Sequence, residues 1–296
     1  MKAEDYIAAM MDCPVGANAR IVARCVALLG ALGLVGWALQ SAASPHPAET
    51  TMPFGRNPVQ TSSQLPVGLI LPARLNDTLK VKDLQKGTIL EFRVMQDIPL
   101  PDRDKIPMKS LVRGSVVNAI KDSDGPGVNI ALAFTQIVNK DQNFSIATSL
   151  RAIASYMAVR DAQTPLNGID AGSPAGWANT VQIGGDIRYG DGGPVRNRRR
   201  QRVGKGVLGG VLVHVSANPS LGCDGPIKGE DYLQALWVFS SDACGVYGMK
   251  EVKLSHSGNS DPVGEFTLHF EKEDMKLDAG TAFLFEVVNP PQAQKH

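Results

Sequence analysis

From Val67 onward the apolar residues come in short runs, and each run is cut off by glycine, proline, asparagine or aspartate. Punctuation of this kind suits many short strands joined by turns. It makes a mainly β fold, sandwich or barrel-like, the expectation for residues 67–289. The expected strands in the first half are Gly68–Leu75, Thr88–Asp97, Leu111–Ala119, Val128–Val138 and Phe144–Leu150. In the second half they are Val207–Val215, Leu233–Ser240, Val252–His256, Glu265–Glu271 and Thr281–Val288. "DSDGPG" at Asp122–Gly127 reads as a hairpin turn, since the further ligands of a calcium loop are missing. Arg151–Gln163 is ambiguous. Leu150, Ile153 and Met157 have helical spacing, whereas Ile146, Thr148 and Leu150 alternate as in a strand. Residues 164–206, with "NGIDAGSPAG" and "IGGDIRYGDGGP", read as a long glycine-rich loop, and 290–296 as a tail.

The N-terminus carries a different signal. Arg20 and Arg24 precede an uncharged stretch from Cys25 to Ser44, whose apolar heart runs from Val26 to Leu39. Residues 1–19 then form a cytoplasmic n-region, and 20–43 a signal peptide or a retained membrane anchor. Arginines before the segment and none soon after it orient the rest outward. Residues 44–66 are rich in Pro, Ser and Thr and read as a flexible linker. The expected location is extracytoplasmic, periplasmic or at the cell surface, with membrane contact through the N-terminal segment if it is uncleaved.

Apolar residues make up 43% of the chain and charged residues 20%, enough for a real core. The formal net charge of +1 means that an anionic partner must be recruited by a local patch. One such patch is Arg196, Arg198, Arg199, Arg200, Arg202 and Lys205, with no acid among them. It suits phosphate-bearing lipid or anionic envelope polymers; export disfavours nucleic acid.

Cys223 and Cys244 lie in the exported part, and two cysteines in an oxidising compartment usually pair. Closing that loop contributes about 3 kcal/mol on the chain-entropy argument. The histidines lack metal spacing, and no cofactor motif is present, so neither metal nor cofactor is expected. His256 and Asp261 could form a pair that stabilises a turn.

Three resemblances add to this reading. "LQALWVFSSDACGVYG", "HSGNSDPVGEFTL", "TSLRAIAS" and "VQIGGDIRYGDGGPV" resemble a family of uncharacterised exported bacterial proteins. "LPARLNDTLKVKDLQKGTILEFRVMQDIPLPDRDKIPMKSLVRGSVV" is similar to the β-barrel domain of TrbI-type conjugation and secretion proteins. That likeness implies a membrane helix, a proline-rich linker and a periplasmic barrel, although the linker here is shorter. Ser220-Leu221-Gly222-Cys223 resembles the nucleophile turn of L,D-transpeptidases, which implies Cys223 as nucleophile and His214 as base in a wall-peptide-modifying enzyme. Asp224-Gly225 departs from that family's pattern. The leading expectation is a non-catalytic envelope scaffold or binding protein, with a secretion-type assembly and other envelope proteins as candidate partners. The cysteine enzyme is the alternative.

Overall fold

The computed structural model describes residues 65–101, 104–140, 142–166, 179–216, 232–255 and 263–289, all within the compact unit Pro58–His296. The expected n-region, membrane segment and most of the linker lie outside the described residues. Among the described residues no helix is long and apolar enough to cross a membrane.

The first run of strands is β1 (Ile70–Leu75), β2 (Leu79–Lys80), β3 (Ile89–Val94), β4 (Ile98–Pro99), β5 (Lys105–Ile106), β6 (Leu111–Lys121), β7 (Val128–Val138), β8 (Asn143–Ser145) and β9 (Thr148–Ala154). Helix α1 (Tyr156–Gln163) follows. Then come β10 (Asn179–Val181), β11 (Ile187–Tyr189), β12 (Pro194–Arg196), β13 (Arg202–Val207), β14 (Gly210–Val213) and β15 (Gln234–Ala235). The last run is β16 (Gly245–Tyr247), β17 (Val252–Ser255), β18 (Glu265–Phe270), β19 (Lys276–Leu277) and β20 (Ala282–Val287).

The protein is mainly β. Ten strands form one sheet in the order β16-β9-β20-β1-β3-β6-β7-β18-β17, with β8 added beside β7. The two ends of this path, β16 and β17, are consecutive in the chain and lie close together, so the sheet is a nearly closed barrel. Strand composition explains which part faces water. In β3, "ILEFRV", every second residue is buried; in β18, "EFTLHF", the alternation is the same. One face of such strands lines the barrel and the other is solvated. By contrast β20, "AFLFEV", and β9, "TSLRAIA", are buried at every position. Their outer face is covered by a second sheet, of order β10-β11-β12-β13-β14-β15, inserted between β9 and β16.

The barrel interior is built around five phenylalanines. Phe92 meets Phe283 edge-on at 4.5 Å and Phe134 at 5.0 Å, while Phe134 meets Phe285 at 4.7 Å. Gly114 on β6 lies opposite Phe134 on β7, beside a shift in register. A β-carbon at Gly114 would fall 2.5 Å from the Phe134 ring, so this pairing needs glycine. Bulges here and between Leu284 and Phe285 bend the strands and help the sheet to curl.

A second apolar cluster joins the layers. Ile70, Ala152, Ala154, Ala282 and Leu284 face outward from the barrel to Val195, Val211, Val213 and Leu236–Phe239. Two buried glutamines tie the layers with hydrogen bonds. Gln234 accepts from Ile70 N (2.7 Å) and donates to Gly68 O (3.0 Å). Gln96 donates to Val211 O (2.9 Å) and accepts from Trp237 N (2.8 Å).

Several sequence expectations meet the structure directly. Val128–Val138 is a strand, and Asp122–Gly127 turns the β6–β7 hairpin, with Asp122 N donating to Gly127 O (2.9 Å). The ambiguous 151–163 is both things: β9 runs to Ala154, then Ser155 caps α1 by accepting from Ala158 N (3.2 Å). Residues 164–206 need correction as a loop. Residues 167–178 lie outside the described residues, but from 179 onward this stretch supplies β10–β12 and most of β13. Short strands of three residues leave little apolar periodicity, which hid them. Val207–Val215 is bent at Leu208-Gly209 into a hairpin. Leu233–Ser240 is a strand at Gln234–Ala235 alone; beyond it Trp237, whose N–H donates to Gln96 Oε1, takes a positive φ of 53° that breaks the extended run.

Candidate functional site

The arginine run is a hairpin with an ordered turn. β12 and β13 are joined through Asn197–Gln201. Asn197 organises the turn from inside: its Oδ1 accepts from Arg199 N and Gln201 N, each at 3.0 Å, and its Nδ2 donates to Gln201 Oε1 at 3.0 Å. Arg196 Nη1 donates to Arg200 O (2.8 Å) across the turn. Arg200 itself sits at φ 61°, a left-handed conformation that costs a non-glycine residue on the order of 1 kcal/mol. Arg196, Arg198, Arg199, Arg200, Arg202 and Lys205 are all exposed. None of the six forms an ion pair with a carboxylate among the described residues.

Behind this turn lies a pocket of about 440 Å³. One wall is Arg198 and Arg199, another is His214–Ser216, and a third is Ser241 and Asp242. The Gly184-Gly185 turn, with φ of 110° and 104°, explains how Arg198 is placed. A β-carbon on Gly185 would come within 2.5 Å of Arg198 Nε, so the guanidinium rests on bare backbone.

Next to that turn Asp186 is only 1% exposed, and its Oδ2 accepts from Ser241 N at 2.8 Å. Burial pushes its carboxyl above the usual carboxylate range, while the Ser241 hydrogen bonds and the Arg198 charge pull it back. Asp242 accepts from Ser240 Oγ at 2.8 Å.

Beneath the pocket is Arg151, fully buried on β9. Its Nε donates to Ala243 O (2.9 Å), and its Nη2 to Ser216 O (3.2 Å) and Ser241 O (3.4 Å). Burial pulls its pKa down to about 10, and the negative charges of Glu286 and Asp242 resist that shift. The side chain therefore remains a cation at neutral pH. Tyr247 accepts from Cys244 N (3.0 Å), and burial pushes its hydroxyl pKa up.

The structure thus brings together two features that the sequence kept apart. His214 is exposed at the end of β14, with its backbone N–H on Val203 O (2.8 Å), and shares the pocket with Arg198 and Arg199. Arg196, Arg200, Arg202 and Lys205 stay on the hairpin outside the pocket lining. Cys244 is buried beside Tyr247. Cys223 lies outside the described residues, as do His256, Asp261 and the S-x-G-C turn. Sequence reasoning missed Arg151, Asp186 and Asp242. The lone arginine in "TSLRAIAS" was the available signal for the first, because a charge in a doubly buried strand needs a partner. For Asp186 the flanking glycines offered only a turn signal.

No family model, curated protein or solved structure matches the chain.

Proposed function

We propose that this protein is a non-catalytic binding or scaffold component of the cell envelope that meets anionic surface groups through the β12–β13 hairpin. The observation that carries this reading is the set of six exposed cations on a hairpin whose turn is ordered by Asn197, none paired with a described carboxylate. Ordering before contact lowers the entropy lost on binding. Juxtamembrane cations contribute about 1 kcal/mol each near an anionic membrane, so three or four facing the surface would add roughly 3–4 kcal/mol.

The extracytoplasmic location belongs to the same proposal and rests on the arginine-flanked apolar segment at residues 20–43. So does a Cys223–Cys244 disulfide, which is supported by the burial of Cys244 and by the two cysteines lying in the part expected to be exported. In this reading the bond closes the chain between residues 223 and 244 into a covalent loop. Other envelope proteins remain the proposed partners of the barrel.

The test is cosedimentation of the full chain with anionic and with neutral vesicles, comparing the wild type with a variant in which Arg196, Arg199, Arg200 and Arg202 are changed to Gln. The wild type should favour anionic vesicles, less so as salt rises, and the variant should lose that preference. An unchanged preference in the variant overturns the proposal.

A further inference from the structure

The pocket behind the arginine turn differs in kind from the cationic surface around it. Arg198 is held against the backbone of Gly185, with the buried Asp186 contributing to the field around it. Arg199 and His214 stand on the same pocket. Under the floor, Arg151 Nη2 donates to the carbonyls of two lining residues, Ser216 and Ser241. Its Nη1 has no hydrogen-bond partner among the described residues. Two guanidinium groups and an imidazole at one cavity, with a third guanidinium behind it, present N–H donors suited to an oxyanion and outnumber the one lining carboxylate, Asp242. Planar guanidinium forks match phosphate oxygens in pairs. A volume of about 440 Å³ exceeds the needs of a lone carboxylate and accommodates a phosphate with a small polyol attached.

We infer that this pocket seats one phosphate ester group, with the guanidinium groups of Arg198 and Arg199 and the His214 ring on its oxygens. The inference rests on the anionic-surface reading of the same hairpin but makes a stricter demand: saturable, one-to-one binding of a discrete group. Such a group could be a lipid headgroup or a soluble phosphorylated polyol, and both offer the same chemistry.

Calorimetry of the full chain in neutral detergent, titrated with glycerol 3-phosphate, tests the pocket directly. Salt of about 0.15 M keeps diffuse attraction short-ranged, with a screening length of roughly 8 Å. Arg198→Gln and His214→Gln alter the pocket. Arg196→Gln removes a charge from the same hairpin but not from the lining. Saturable binding that weakens at least about tenfold in Arg198→Gln and stays within about twofold in Arg196→Gln supports the inference, as expected for charge-assisted contacts. His214→Gln should weaken it as well.

A parallel titration with phosphatidic acid vesicles identifies the source. Stronger, Arg198-dependent binding there assigns the group to lipid; equal binding of the soluble ester assigns it to a free phosphorylated polyol. If neither probe shows Arg198-dependent saturation, or if Arg196→Gln costs as much as Arg198→Gln, the inference is overturned. Salt-sensitive binding to anionic vesicles would then still support the surface reading. Loss of that binding too would sink both.

Discussion

Replacing Arg151 with methionine probes the junction between the barrel and the second sheet. The side chain is fully buried and makes one hydrogen bond of 2.9 Å and two longer ones, all to carbonyls of the segments that floor the pocket. Glu286, 6% exposed on the neighbouring strand β20, is the largest source of opposite charge acting on it. Methionine fills similar volume but leaves the carboxylate without that cation. Losing three hydrogen bonds from a buried charged group, together with its attraction to a nearby opposite charge, costs about 3–5 kcal/mol. In a domain of this size each kcal/mol lowers the melting temperature by about 2–4 °C, so the loss should be roughly 10 °C.

Urea unfolding monitored by circular dichroism, without added reductant, gives the free energy. The double variant Arg151→Met with Glu286→Gln should recover at least about 1.5 kcal/mol relative to the sum of the single changes, because residues in one charge network are not additive. If Arg151→Met stays within about 1 kcal/mol of wild type, or if the two changes simply add, the reasoning from burial and charge is wrong.

Three further outcomes can be measured. Gly114→Ala should destabilise the barrel by about 1–3 kcal/mol in urea unfolding, since its methyl group would press on the Phe134 ring. Arg200→Gly should raise stability by up to about 1 kcal/mol by relieving the left-handed strain, while weakening the preference for anionic vesicles. Asp186 has its folded pKa raised above 3.8, so above that value its ionisation favours the unfolded chain. Asp186→Asn should therefore gain stability relative to wild type as pH rises through the window above 3.8, an advantage that disappears on acidification; a constant difference across pH would contradict this.

The β class and the barrel-forming runs were legible because alternation such as that in "ILEFRV" directly encodes a half-buried strand. The second sheet was legible only in part: the expected strands Val207–Val215 and Leu233–Ser240 contain β14 and β15, whereas β10–β12 lay in a stretch read as a loop. Its strands are two to six residues long, and its glycines serve close approach as well as turns. The arginine run was visible as charge, but its order depends on Asn197 bonding within the turn, and a composition argument sees only a polar residue there. The pocket was hidden for a different reason. Its walls come from residues 197–199, 201, 203, 214–216 and 241–242, which the pairing of β13 with β14 and the Ser216–Ser241 backbone bond bring together. Arg151 stood at the head of an ambiguous segment, and its burial depends on a second sheet built from residues far along the chain.

The position of β20 has a consequence for how the protein matures. Although last in sequence, it lies between β1 and β9, exchanging hydrogen bonds with both. A chain emerging N-terminus first would hold two unsatisfied strand edges until residues 282–287 arrive, a long wait imposed by contacts of high sequence separation. Synthesis stalled before Ala282 would leave an open, adhesive intermediate. Chaperone protection should therefore matter most at the very end of synthesis.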